Sequence, residues 1–442
     1  MPGGRLVRGA VAGVVAVVLG LAGASDGHAA PGPHPVASVR YTLGDTAFRV
    51  PGFHSLDPET GEPGDVAGLE LTAVVHYPRD LRGGPYPLVV LSHGMWETCA
   101  DRAAGRTWTD ASYRLYGPDP VQDPAERARL AATATRAGAA LNRWPCAPGT
   151  PPMPSYRGYD YLGRALARAG IVAVSISANG VNAGELGQAA DMARAALINE
   201  HLRMWRDLSA TGGGALAGRF TALDSGRAVA VDFTGRIDLR RVGTLGHSRG
   251  GRGVMWHASD NHRGDWPAGV TVRAAVPLAP AEYYAPDPEA PENLDYRVTG
   301  LPFAAVTGSC DYSVGGGRDY VDNARGRTTA PLYLWQVHGA NHNFLNSQWS
   351  PRSGQVLAHD DVQQTYDYSG EPRPRPGHCD AEDGGVDAQL TETGQRLVTT
   401  TYVTAFFRRH LLGDTSADPV LTGQRHPLAH ITTVDVETVL PR

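Results

Sequence analysis

Three residues set far apart in this chain have the types and the order that nucleophilic chemistry needs: Ser248, Asp311 and His342, separated by 63 and 31 positions. Ser248 centres the pentapeptide Gly246-His247-Ser248-Arg249-Gly250, which follows an apolar run at 242–245 and precedes a helix predicted over 251–262. A G-x-S-x-G at a strand-to-helix junction predicts a nucleophile elbow. The serine has to stand on a sharp, strained turn for its Oγ to clear the sheet. Glycines on either side let the two backbones approach. A serine hydroxyl is a weak nucleophile at neutral pH, so a neutral imidazole must take its proton. His342 is the predicted base, and afterwards the acid that protonates the leaving group. Asp311 is predicted to hold the ring in the useful tautomer and to stabilise the imidazolium. The bland alternative is an ordinary serine in a glycine-rich turn.

An oxyanion formed at this site needs two backbone donors. The Arg249 amide, next to the nucleophile, is one candidate. The strand read over 87–92 breaks at His93-Gly94, and the Met95 amide is the second, with Gly94 close behind. Asp322 is a rival acid but lies well past its strand end. His338 is a rival base, though it stands at the strand end itself. The tight loop Gly339-Ala340-Asn341 carries His342 clear of the strand and favours it. His93 and His247 read as braces for the oxyanion loop and the elbow. No histidine shows a spacing such as H-E-x-x-H, so no catalytic metal is expected.

The elements that must position these groups follow from the apolar pattern. Runs at 301–306 and 331–337 lead into Asp311 and His342, just past the ends of buried-looking strands, where open α/β sheets place their chemistry. Helix 160–169 feeds strand 171–177, a βαβ-type alternation. An amphipathic helix is expected over 193–208, with Leu197, Leu202 and Trp205 among its apolar positions. Further strands are read at 41–50, 69–77 and 272–278, a closing helix over 388–412, and a β-like run at 431–440. The fold class is therefore α/β, with a central, mostly parallel sheet and helices on both faces.

The segments LVVLSHGMW, GTLGHSRGG, FAAVTGSCD and VHGANHNF resemble those of secreted bacterial α/β-hydrolase esterases. That neighbourhood includes cutinase-like polyester hydrolases, dienelactone-hydrolase relatives and chlorophyllases. The resemblance covers 71–94, 171–178, 242–262 and 301–345, and reaches the last helix near 406–412. It implies an α/β-hydrolase fold and cofactor-free hydrolysis of carboxylic esters. It also implies Ser248, Asp311 and His342 as triad, and Met95 and Arg249 as oxyanion donors. A peptidase, amidase or acyltransferase on the same scaffold is the alternative. The chain departs from that pattern in two insertions, at about 96–155 and 346–388. Both begin beside proposed catalytic loops and are expected to form a lid or a pocket wall. Trp96, Trp256 and Tyr312 are pocket candidates, although aromatics serve equally well in a core.

Residues 1–29 read as a secretory signal, with Arg5 and Arg8, an apolar stretch at 10–22 and a small-x-small site at 27–29. Four cysteines in an exported chain predict two disulfides. Of the three pairings, Cys99–Cys146 would close the first insertion and Cys310–Cys379 would tie the acid loop to the second. Free, buried thiols are the other reading. The formal net charge is −5; losing Arg5, Arg8 and Asp26 with the signal makes it −6. That mildly acidic balance argues against nucleic acid or anionic membrane as a partner; a small or lipid-like ester is the substrate that the resemblance implies. The mature chain is read as one enlarged domain.

Overall fold

In the computed structural model, which describes residues 33–117, 119–285, 292–362, 377–380 and 385–442, short apolar runs become strands in a regular sequence. They are β1 (Val36–Thr42), β2 (Phe48–Leu56), β3 (Pro63–Leu69), β4 (Thr72–Pro78), β5 (Tyr86–Ser92), β6 (Val172–Ile176), β7 (Ile237–Ser248), β8 (Val272–Pro280), β9 (Phe303–Gly308), β10 (Leu332–Val337), β11 (His378–Asp380), β12 (Val386–Ala388) and β13 (Val434–Val439). Nine of them form one sheet in the order β1-β4-β6-β5-β7-β8-β9-β10-β13. From β6 through β10 every pairing is parallel, while β1, β4 and β13 pair antiparallel at the edges. The sequence reading of one strand over 41–50 is corrected: β1 ends at Thr42, and Gly44, at φ +122°, turns the chain before β2 begins. The run at 69–77 likewise divides between the end of β3 and β4. The secretory signal lies outside the described residues, as does part of the second insertion.

Helices are α1 (Arg102–Tyr116), α2 (Pro124–Asn142), α3 (Asp160–Arg168), the single turn α4 (Asn179–Asn182), α5 (Gln188–Thr211), α6 (Arg249–Ala258), α7 (Gly317–Ala324), α8 (Glu392–Leu412) and the short α9 (Asp418–Leu421). Strand alternation sends Leu88 and Val90 of β5 into one core and Val89 and Leu91 into another. The first core takes Leu197 of α5, Val254 of α6 and Tyr320 of α7; the second takes Leu162 of α3 and Phe406 of α8. The sheet is therefore covered on both faces, which is why its central strands are buried along their length.

The first insertion contains a helical hairpin that apolar periodicity did not reveal. Asp101 caps α1 by accepting from the Ala103 and Ala104 amides, and Asp123 caps α2 ahead of Pro124. Cys99 is bonded to Cys146 across its base, with Cα atoms 5.6 Å apart, and Cys310 to Cys379, at 5.4 Å. The two insertions pack on each other: Leu141 and Met153 from the first share a small core with Val356 from the second, and Trp96 and Ala104 lie against it. Among the described residues no helix is long and apolar enough to cross a membrane.

Candidate active site

The site begins where the chain crosses the sheet. The connection from β5 goes to β6 on one side, and the next returns across β5 to β7 on the other. Neighbouring strands that part in this way open a crevice at their C-terminal ends. The turn after β5 and the elbow after β7 meet there. Ser248 holds φ +59°, outside the regions L-residues normally occupy, at the cap of α6. Gly246 is required by crowding: a methyl at its Cα would stand 2.0 Å from the Gly250 carbonyl oxygen. A methyl at Gly94 would stand 2.4 Å from Ser248 Cβ, so the turn after β5 lies directly against the nucleophile candidate.

Buried polar groups fix that turn. His93 Nε2 accepts from the Ala178 amide at 2.8 Å, so Nδ1 carries the proton and donates to the Gly94 carbonyl, also at 2.8 Å. Burial, aided by nearby Arg194, pushes the His93 pKa down to about 3, and the ring is neutral. Asn182 Nδ2 donates to the Gly94 carbonyl at 3.0 Å. Arg194, which is 2 % exposed, donates to the His93 carbonyl at 2.9 Å and to Asn182 Oδ1. Met95 sits at the crest, and its amide donates to no acceptor among the described residues. The Arg249 amide opens α6 and precedes the helical hydrogen-bond ladder.

The predicted acid and base meet. His342 Nδ1 and Asp311 Oδ2 are 2.8 Å apart, with side chains only 6 % and 3 % exposed. The other Asp311 oxygen accepts from the Ser313 and Val314 amides at 2.9 and 3.1 Å. Burial opposes charge on His342, yet Asp311 beside it and Asp361 nearby outweigh that and raise its pKa above the ordinary 6.5. The loops carrying the pair are sewn together: Cys310 N donates to Ala340 O at 3.0 Å and Gly339 N to Ser309 Oγ at 2.8 Å. His247 joins this side to the elbow. Its ring lies 4.5 Å from that of His342 and its Nδ1 is 2.9 Å from the Tyr159 hydroxyl. Burial, and then the neighbouring His342, hold it neutral.

The rivals are occupied elsewhere. His338 is held between Asp387 at 3.1 Å and Asp435 at 2.7 Å. Asp322 sits on α7 in an exposed pair with Arg325. The pocket candidates separate. Trp96 stacks on Trp349 at 4.9 Å, and Trp349 in turn lies 4.9 Å from His247, so Trp96 covers the site through a second indole. Trp256 lies two turns along α6, stacked on His262, and is not beside Ser248. Tyr312 lines a cleft of about 650 Å³ together with Asp311 and Arg318.

Sequence reasoning missed Asp361. This carboxylate from the second insertion accepts from the His342 amide at 3.1 Å and from the Tyr312 amide at 3.1 Å, and burial pushes its pKa up to about 7. No motif marks it. Arg194 was legible in principle: it shares the i, i+3, i+4, i+7 stripe of Leu197, Ile198 and His201 on α5, and a charge on an apolar face signals a buried polar network. No group of acidic, histidine or cysteine side chains among the described residues is arranged to hold a metal ion. In comparisons with known proteins, no family model and no curated protein matches this chain.

Proposed function

We propose that this chain is a secreted serine hydrolase of the α/β-hydrolase fold, cleaving carboxylic esters through an acyl-enzyme on Ser248. The observation that carries the reading is the buried Asp311–His342 hydrogen bond of 2.8 Å. It commits Nδ1 to the carboxylate and leaves Nε2 as the nitrogen for proton transfer. Ser248 Oγ attacks the ester carbonyl while His342 takes its proton. The tetrahedral oxyanion is received by the Met95 and Arg249 amides. The carbon–oxygen bond to the alcohol then breaks as His342 returns that proton to the leaving oxygen. Water repeats the sequence on the acyl-enzyme, releasing the acid and restoring Ser248.

Two disulfides, and no described helix fit to span a membrane, agree with an extracellular location. The insertions packed beside Trp96 form a wall at the mouth of the site in this reading. The test is turnover of a p-nitrophenyl ester series from acetate to palmitate by the mature protein. Hydrolysis that is lost in Ser248→Ala supports the proposal, and the rate profile sizes the acyl pocket. Turnover that survives in Ser248→Ala defeats it.

A further inference from the structure

The side chain of Arg249 belongs to a group of three arginines around the elbow, and among the described residues it is the one of the three with no ion pair or side-chain hydrogen bond. Arg194 is committed to the turn after β5, where it donates to the His93 carbonyl and to Asn182 Oδ1. Arg252 pairs with Asp191 at 2.7 Å, donates to the Glu282 carbonyl at 3.2 Å and lies over the Tyr284 ring at 5.1 Å. Asp191 is buried and already serves Arg252 and the Tyr296 hydroxyl, which donates to it at 2.6 Å. Arg249 makes no ion pair and no side-chain hydrogen bond among the described residues, and it is partly exposed. Burial, and then the like charge of Arg252, both work against its own charge. Asp191 is thus the one carboxylate that any of the three guanidiniums pairs with among the described residues, and the unpaired guanidinium belongs to the residue next to Ser248.

We propose that the Arg249 guanidinium is an anion-binding subsite that selects ester substrates bearing a free carboxylate close to the scissile bond. Arginine's planar fork suits a carboxylate, and partial burial strengthens a charge-assisted hydrogen bond over one in water. A ligand carboxylate there would also offset the repulsion from Arg252. This inference rests on the ester-hydrolase reading of Ser248. It adds the substrate class that reading leaves open: half-esters of dicarboxylic acids, or esters of carboxylate-bearing alcohols.

The test compares charged and neutral substrates in matched pairs. On the acyl side, p-nitrophenyl hydrogen glutarate is set against p-nitrophenyl valerate; on the alcohol side, 4-acetoxybenzoate against phenyl acetate. The wild-type protein should favour the charged member of at least one pair by about tenfold or more in kcat/KM, the size expected of a hydrogen bond to a charged group. Arg249→Gln should collapse that ratio and Arg249→Lys should keep part of it. The ratio is the readout, so any general effect on the neighbouring oxyanion amide divides out. Ratios near one, or ratios unchanged in Arg249→Gln, overturn the subsite while leaving the serine-hydrolase reading intact. If no ester is turned over, that reading fails first, and the subsite is judged by calorimetric titration with glutarate. Binding lost in Arg249→Gln supports it; no binding to the wild-type protein overturns it.

Discussion

The two sides of Ser248 are built from opposite charges. On the side of the turn after β5, Arg194 and Asn182 hold its backbone, Arg252 stands nearby on α6, and Asp191 and Glu70 are the buried carboxylates among them. On the base side, Asp311 and Asp361 both face His342. Neither arrangement is the cheapest way to pack a core, since buried charges cost several kcal/mol each unless well paired. The polarity matches the reaction proposed here. Negative charge develops on the substrate oxygen next to the cationic side, and positive charge on the imidazole next to the anionic side. A field fixed before the substrate arrives needs no reorganisation as the charges separate. His247, beside the His342 ring, is held neutral first by burial and then by that neighbour, so it adds no charge that would repel the imidazolium.

Breaking the base side should have the largest effect. His342→Ala should lower kcat for ester hydrolysis by about 10⁴ or more, and Asp311→Asn by roughly 10⁴, because the ring loses its tautomer and its counter-charge. Steady-state kinetics on a short p-nitrophenyl ester checks both. The cationic side acts through position instead. Asn182→Ala removes the bond to the Gly94 carbonyl, and kcat should fall by about 10²-fold with little change in KM, as expected when a donor shifts by about 1 Å.

Asp361 sharpens the comparison through pH. The base works when neutral, so kcat/KM falls as pH drops through the His342 pKa, which lies above 6.5. Asp361 helps to raise that pKa, so Asp361→Asn should move the acid limb to lower pH. A role confined to holding the loop would reduce activity without moving the limb. The smallest effect belongs to His338, whose pKa is raised by its hydrogen bond to Asp435 and then by Asp387. His338→Gln should change kcat less than about threefold and should act on stability, measured by thermal unfolding, by about 1 kcal/mol or less, as for other exposed pairs.

The strands that hold the site were legible because each pairs a short apolar run with a turn: the runs read at 301–306, 331–337 and 242–245 fall on β9 at 303–308, β10 at 332–337 and the longer β7, with ends shifted by a few residues. The order of the strands was not, because pairing is decided by contacts across hundreds of residues. The residues of the site followed the same division. Ser248, Asp311 and His342 stand at strand ends, where local sequence carries the signal. Asp361 and Trp349 reach the site from an insertion, and nothing near them in sequence records the long-range contact. The α1–α2 hairpin escaped notice for a related reason: α1 buries only Gly105, Ala111 and Leu115, too few apolar positions for a periodic signal.

The most direct test of the account is covalent labelling with a fluorophosphonate probe, followed by peptide mapping, on the wild-type protein and on His342→Ala. The account predicts stoichiometric labelling of Ser248 in the wild type and its near-complete loss when the base is removed. Labelling that maps to another residue, or that proceeds equally well without His342, would contradict it.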